Sequence, residues 1–238
     1  MLFYPLLFVV ALLYAMVGHG GASGYLALMA IWGVSPSTMK ATALLLNLFV
    51  SSVAFVQFYR GGHFRWSLFW PLALASIPLA WLGGTIQIDA QLYKKMLGVL
   101  LLLPLLRLLF RQEVDAAALK PANNYYLFLI GGVIGYLSGL IGIGGGILLS
   151  PLLLLLRWST QQQTAALSAL FIFVNSFAGL LGQMSKGLQF SGDMYLYVLV
   201  AFTGGLLGAH WGALKMRQEQ LKYVLIVVLL IAVFKLFQ

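Results

Sequence analysis

The chain divides into ten apolar segments separated by short polar joints, which leaves little sequence for a separate soluble domain. The hydrocarbon core of a bilayer is crossed by about 20 apolar residues, and lipid offers the backbone no hydrogen-bonding partners, so each segment is expected to be a helix. The pattern therefore predicts an all-α integral membrane protein. The expected segments are 2–17, 22–33, 37–59, 67–86, 92–110, 125–141, 146–156, 163–184, 194–212 and 221–237.

Two of these segments are too short to cross a bilayer. Segments 22–33 and 146–156 would be roughly 17 to 18 Å long as helices, against a hydrocarbon core of about 30 Å. Each follows a glycine cluster, "GHGGASG" at 18–24 and "GLIGIGGG" at 139–146. Both are therefore predicted to be half-helices that begin inside the membrane.

The matching position of these clusters indicates an internal repeat. A shift of 124 positions superimposes Gly20 on Gly144 and Ser52 on Ser176, and one further residue brings Gly83 onto Gly208. We expect two five-segment repeats, each with a glycine-broken helix pair. The predicted boundaries are a first membrane repeat at 1–111, a polar linker at 112–123 and a second membrane repeat at 124–238, which together make one transporter domain.

Five segments per repeat would invert the second copy relative to the first. The positive-inside rule tests this expectation, because cytoplasmic loops carry an excess of Lys and Arg. With inversion, the 14 Lys and Arg divide nine to five, and the larger set includes Arg60 and Arg157, while the smaller includes Lys40 and Lys186. If each broken pair counted as one crossing, they would divide seven to seven. Inversion fits better and places both termini outside the cytoplasm.

A half-helix that begins at mid-membrane exposes unpaired backbone N–H groups and the positive end of its dipole, which favour an anion. Short or glycine-interrupted segments at matching positions of two halves are also typical of the binding sites of carriers. We expect the two N-termini to supply backbone donors to one substrate site. These donors are Gly20, Gly21 and Ala22 in the first copy and Gly144, Gly145 and Gly146 in the second.

Glycines also allow close helix packing, which is the alternative interpretation of both clusters. We favour packing for the glycines at four-residue spacing, which recur in two regular series. These are Gly131, Gly135 and Gly139 in one series, and Gly204, Gly208 and Gly212 in the other.

Polar side chains inside the long segments are candidates to complete the anion site. We expect substrate contacts from Ser23, Ser51, Ser52, Asn175 and Ser176, whereas each taken singly could also be an interhelical hydrogen bond. The third segment also carries Thr42, Asn47 and Gln57. Lys40 near its start could attract anions to a vestibule, although we favour a solvated loop lysine.

His19 lies inside the first glycine cluster, where the repeat has Ile143. Its pKa range suits proton coupling or pH sensing, with protons as the candidate coupling ion. A histidine beside glycines could equally cap a helix or bond a carbonyl group.

Charge and composition narrow the function further. The net charge is +9, but the basic residues fall at segment ends, where they meet lipid headgroups, so nucleic-acid binding is not expected. All five acidic residues fall in predicted loops, whereas cation carriers usually need a carboxylate in the membrane. The chain has no cysteine, which excludes thiolate metal sites and cysteine nucleophiles. We expect no metal and no catalytic residue.

The glycine-broken copies, "SGLIGIGGGILLSPLLLLL" at 138–156 and "VGHGGASGYLALM" at 17–29, resemble the sulfite exporter TauE/SafE family, also called the toluene sulfonate uptake permease family. The resemblance implies a multi-pass secondary transporter of the bacterial inner membrane. Its substrate would be sulfite, a sulfonate or a related sulfur-containing anion, with no bound cofactor. His19 and Ser23 stand where small or apolar residues are common, so the individual substrate stays open, as does the oligomeric state, a homodimer included.

Two other classes of protein are compatible with parts of the sequence. "GASG" at 21–24 and "AHWG" at 209–212 are similar to the catalytic segments of rhomboid intramembrane proteases, with Ser23 and His210 as the dyad. The repeat already explains these glycines, and too many segments separate the two residues. A non-transporting membrane scaffold is the third class, and it predicts that the glycine clusters tolerate bulky residues.

Overall fold

The computed structural model describes residues 2–16, 22–109, 119–188 and 192–212, together with 230 and 233–234. Within these ranges all regular structure is helical. The helices are α1 Phe3–Met16, α2 Ala22–Ile31, α3 Pro36–Arg60, α4 Trp66–Thr85, α5 Ala90–Leu109, α6 Asn124–Ile141, α7 Gly146–Leu155, α8 Gln161–Met184 and α9 Gly192–Gly212. The first nine predicted segments are confirmed, and the tenth, 221–237, lies almost wholly outside the described residues.

Helix length separates two classes of element. Among the described residues, α3, α4, α6 and α8 are long and apolar enough to cross a membrane. The helices α2 and α7 have 10 residues each, which is too short for a crossing, as the sequence predicts.

Local sequence explains where the long helices begin. The Ser35 hydroxyl accepts a hydrogen bond from the Thr38 N–H at the start of α3, and Pro36 occupies the first turn, where a missing N–H costs nothing. Thr160 and Gln163 form a capping box that starts α8. At the start of α5 the Asp89 carboxylate accepts hydrogen bonds from backbone N–H groups, of which that of Leu92 has the largest effect and that of Gln91 the next. These bonds stabilise the charged form and hold the pKa of the Asp89 carboxyl below its usual range.

The long helices pack in pairs that leave α3 and α8 at the centre. The packed pairs include α4 with α6, α1 with α9, and α3 with α8, while α4 also contacts α8 and α3 contacts α9. The hydrogen bond from Asn47 to Ser176, together with the approach of Leu44 to Gly179, shows that α3 and α8 run antiparallel.

The regular glycine series on α6 is a packing face, as predicted. A Cβ atom added at Gly131, Gly135 or Gly139 would meet backbone atoms of α4. Gly204 of the second series meets the Phe8 carbonyl of α1 in the same way. These glycines bring helix backbones together directly and are explained without a ligand.

Candidate functional site

The second glycine cluster breaks the helix as the sequence predicts. The helix α6 ends at Ile141, and Gly142, Gly144 and Gly145 all have positive φ angles, of 88°, 77° and 80°. Residues with a side chain rarely adopt this backbone conformation, so the turn depends on glycine. The turn and the first residue of α7, Gly146, are buried. The first N–H groups of an α-helix have no acceptor within the helix, and although the Leu148 N–H donates to the N-cap carbonyl oxygen of Gly145, α7 begins with polar groups inside the protein.

Gly144 lies against polar side chains of two different long helices. A Cβ atom added there would lie 2.6 Å from the Asn47 Nδ2 atom of α3 and 3.1 Å from the Ser176 Oγ atom of α8. The Asn47 Nδ2 group donates a hydrogen bond to Ser176 Oγ over 3.2 Å, and both side chains are fully buried. The structure therefore brings the predicted residues Gly144 and Ser176 together and adds Asn47.

Asn47 is a member of this cluster that the sequence analysis did not select. A carboxamide in the middle of an apolar segment could have indicated Asn47. The corresponding residue of the second repeat is Phe171, however, so polar residues at matching positions of the two repeats do not include Asn47. The Asn47 Oδ1 atom is buried without a hydrogen-bond partner. Burying such a group unpaired costs about 1–3 kcal/mol, and because the oxygen is an acceptor, a donor such as water or a protonated ligand would complete it, whereas an anion would bind through the Nδ2 group.

Ser51 and Asn175 are buried on the same two helices but bond within their own helix. The Ser51 hydroxyl donates to the Asn47 carbonyl oxygen, and the Asn175 Nδ2 group donates to the Phe171 carbonyl oxygen over 2.8 Å. The Asn175 Oδ1 atom is buried and has no partner. Both residues thus lie one helical turn or less from the Asn47–Ser176 pair along the chain.

Other predicted residues have different surroundings. Ser52 is partly exposed and donates to the Phe49 carbonyl oxygen, so it is not brought to Gly144. A Cβ atom at Gly145 would meet the Phe171 ring, and one at Gly146 would meet the Ile172 side chain. Neighbouring side chains thus fill the space beside Gly145 and Gly146, and only the backbone N–H groups of these glycines could bind a ligand.

The first glycine cluster falls mostly outside the described residues. His19, Gly20 and Gly21 belong to 17–21, which the structure does not describe, and Ala22 is the first residue of α2. Ser23 follows it and is buried. The expectation that this cluster faces Gly144 stays a prediction.

Lys40 corrects one interpretation of the sequence. The sequence favours a solvated loop lysine, but Lys40 lies inside α3 and is only 7% exposed. Its ammonium group donates to the carbonyl oxygens of Gly83, Gly84 and Ile86 at 3.2–3.4 Å, at the C-terminal end of α4. The negative end of that helix dipole stabilises the charge without a carboxylate.

Lys40 also lines a cavity of about 550 Å³, which we call the Lys40 cavity. Its wall includes Ser37 and Thr38 of α3, Gln183 of α8, and Lys186 just after it. Gly142 packs on the backbone and side chain of Lys40, so the cavity lies next to the helix break.

The chemistry available at the break is neutral hydrogen bonding, with one buried cation nearby. Among the described residues, no group of His, Cys, Asp and Glu side chains could hold a metal ion. Peptide N–H groups, a carboxamide and a hydroxyl are donors that suit a desolvated oxyanion.

Comparison with known proteins identifies the family. The sulfite exporter TauE/SafE family matches residues 3–236, nearly the whole chain. The chain belongs to this family. The resemblance predicted from the glycine-broken copies is thereby confirmed, and the chain is a membrane transporter rather than an enzyme.

Relatives in the TauE/SafE family agree with this. A probable membrane transporter protein of Sinorhizobium fredii is 35% identical over 96% of this chain and 94% of its own length. A probable membrane transporter protein of Methanocaldococcus jannaschii is 24% identical over 79% of this chain and 75% of its own length. A sulfite exporter TauE/SafE family protein of Arabidopsis thaliana is 33% identical over 36% of this chain and 19% of its own length. No solved structure matches the chain.

Proposed function

We propose that the protein is a secondary transporter of a small sulfur-containing anion, such as sulfite or a sulfonate, in a bacterial inner membrane. One observation carries the proposal: the N-terminal end of the half-helix α7 meets a buried polar pair, Asn47 and Ser176, drawn from two central helices. The family's printed description as sulfite exporters supports the class of substrate.

The anion would be held by donors rather than by a formal positive charge. The free N–H groups at the start of α7 point along the helix dipole toward its positive end, where an oxyanion is stabilised. The Asn47 Nδ2 group carries two N–H hydrogens, and the Ser176 hydroxyl, which accepts from Asn47, still has its own O–H, so both side chains could donate to an arriving oxyanion. Weak, neutral coordination suits a carrier, because the substrate must also leave.

The pattern of helix contacts supports an inverted repeat with halves at 1–111 and 124–238. If α1 to α4 correspond to α6 to α9, the pair α4–α6 corresponds to α9–α1, and α4–α8 corresponds to α9–α3. All four pairs are in contact, and the antiparallel pair α3–α8 corresponds to itself. Such exchange is expected of two similar halves related by an axis in the membrane plane.

The two ends of the α3–α8 pair have different surroundings. Alternating access requires such a difference, because in any one state the substrate site is open to one side of the membrane only. At one end Lys40 borders the Lys40 cavity. Its counterpart in the second half is Thr164, which is buried and shares a hydrogen bond of 2.6 Å with Ser159. We propose that the cavity marks the open side and the bonded hydroxyls the closed side, with His19 and protons as the coupling elements.

The decisive test is flux into liposomes that contain the purified protein. Asn47→Leu and Ser176→Ala should each lower sulfite or sulfonate flux by roughly tenfold or more, because a donor is lost from a buried anion site. Thr203→Val is the matched control, since the exposed Thr203 hydroxyl bonds only carbonyl groups of its own helix. Repeating the assay with an imposed pH gradient tests proton coupling.

If liposomes that contain the wild-type protein transport none of sulfite, sulfate, thiosulfate and sulfonates, the proposed substrate class is wrong. Equal flux in the wild type and in both site variants would contradict the proposed site.

A further inference from the structure

The Lys40 cavity has a polar wall that packing alone does not explain. Its buried polar side chains are Lys40, Gln183 and Tyr93, and the Tyr93 hydroxyl already donates to the Ile141 carbonyl oxygen. Lys40 and Gln183 come from α3 and α8, the same two helices that supply the Asn47–Ser176 pair. Lys186 lines the cavity at its exposed side.

Gln183 is the observation that points to a ligand. Its side chain is 8% exposed and lines the cavity, yet its Nε2 group is buried without a hydrogen-bond acceptor. An unused amide donor, on a residue that lines the same cavity as Lys40, is costly without a ligand and would be stabilised by an acceptor.

The charge of Lys40 is positioned rather than neutralised. Two carbonyl oxygens of α4 and that of Ile86, which follows the helix, hold its ammonium group at the cavity wall, and these groups carry no net charge. Asp89, the acidic residue whose side chain the structure describes, caps α5 through the Leu92 N–H. An anion in the cavity would therefore meet an ammonium group without a described carboxylate partner.

The cavity lies in line with the candidate substrate site. Lys40 precedes Asn47 by seven residues on α3, and Gln183 follows Ser176 by seven residues on α8, which runs antiparallel. Seven residues are about two turns, or roughly 10 Å. The two polar pairs are thus stacked along the same helix pair.

We propose that the Lys40 cavity is a second oxyanion-binding site, which a small sulfur-containing anion occupies on its way to or from the Asn47–Ser176 pair. Lys40 and Gln183 donate to the anion there, and Lys186 raises its local concentration at the mouth. The size of the cavity is within the range of small-molecule sites. The inference rests on the proposed function only for its place on a transport path.

Equilibrium binding tests the site apart from transport. Sodium sulfate is titrated into purified protein at constant ionic strength, in the wild type and in an Asn47→Leu background that disables the inner site. Binding should persist in that background, and Lys40→Gln should weaken it by roughly tenfold or more. Gln183→Met should weaken sulfate binding severalfold. The substitution breaks no hydrogen bond of Nε2 in the unliganded protein, because that group has no partner there. Lys94→Gln, an exposed lysine outside the cavity wall, is the charge-matched control and should bind as the wild type does.

A single thiol locates the binding. Because the chain has no cysteine, Ser37→Cys places one reactive group at the cavity wall. A negatively charged methanethiosulfonate should modify it faster than a positively charged one, sulfate should slow the reaction, and Lys40→Gln should remove both effects.

The outcomes separate this inference from the proposed function. Sulfate binding that depends on Lys40 and Gln183 supports the site even if no flux is found. Unchanged affinity in both variants overturns it, even if flux is normal, and Gln183→Met alone decides if Lys40→Gln does not fold. Loss of sulfate protection at Ser37→Cys when phosphatidylglycerol replaces phosphatidylcholine in nanodiscs would assign the cavity to a lipid headgroup and overturn the transport-path site.

Discussion

At the scale of single residues, Gly144 combines two constraints that are usually separate. Its φ angle of 77° disfavours any side chain, and a Cβ atom would also lie 2.6 Å from Asn47 Nδ2. Gly62 has a φ angle of 73° but open space around it. The two positions therefore distinguish backbone strain from collision with the polar pair.

We predict that Gly144→Ala destabilises the protein more than Gly62→Ala. Both should lose roughly 1–2 kcal/mol from the left-handed backbone, and Gly144→Ala should lose about 1–3 kcal/mol more by displacing Asn47. Thermal unfolding of the purified variants measures the difference. Equal midpoints would mean that Asn47 and Ser176 yield without cost, contrary to a rigid site.

Sequence reasoning succeeded at this scale where chemistry is local. The break at 142–145 was predicted from its glycines, and the positive φ angles of Gly142, Gly144 and Gly145 give the physical reason why glycine stands there. Lys40 was misread because the carbonyl groups that accept its hydrogen bonds lie 43–46 residues away in the chain. Asn47 was passed over because its contact with Ser176 depends on how α3 is rotated about its own axis.

At the scale of elements, the close contact between α4 and α6 depends on glycines, whose side chain is a single hydrogen atom. A Cβ atom at Gly139 would collide with the Ala80 carbonyl of α4 and lie 2.9 Å from the Gly84 nitrogen. Gly132 on the same helix would instead meet the end of the Leu79 side chain at 3.0 Å, which can move.

We predict opposite outcomes for alanine at these two glycines. Gly139→Ala should lower stability by at least about 2 kcal/mol, because two backbones must separate. Gly132→Ala should be neutral or stabilise by up to about 1 kcal/mol, since alanine favours the helix. Unfolding midpoints in detergent, with the dispersity of each variant, test this. A destabilising Gly132→Ala as severe as Gly139→Ala would refute the packing account.

The bounds of the nine described helices were accessible from sequence because the bilayer leaves the backbone few choices. Where a helix end lies within the described ranges, predicted and observed ends differ by at most two residues, as at the start of α5, predicted at 92 and observed at Ala90. Which helices pair was not accessible, because every apolar face is compatible with lipid as well as with protein.

At the scale of the whole molecule, the antiparallel pair α3 and α8 fixes where the ends of the two helices lie. Arg60 ends α3, and Lys186 follows the end of α8, so the two residues lie at opposite ends of the packed pair. Charge counting assigns the Arg60 side to the cytoplasm. The Lys40 cavity would then open to the other side.

We predict that Arg60→Cys and Lys186→Cys are labelled from opposite faces of the membrane. Each variant has a single thiol, because the chain has no cysteine of its own. An impermeant maleimide should react with Lys186→Cys in intact cells and with Arg60→Cys only in opened cells. A permeant maleimide must label both variants. Labelling of both from one face would exclude the inverted arrangement of these helices.

The Asn47–Ser176 contact has a consequence for the integrity of the polypeptide. One partner lies before the linker and the other after it, so neither fragment of a protein cut between α5 and α6 contains both halves of the binding site that we propose. If that proposal holds, such fragments regain affinity for an anion only by complementation, when both are inserted in the same bilayer. Ligand recognition would then depend on assembly of the two halves rather than on their covalent connection.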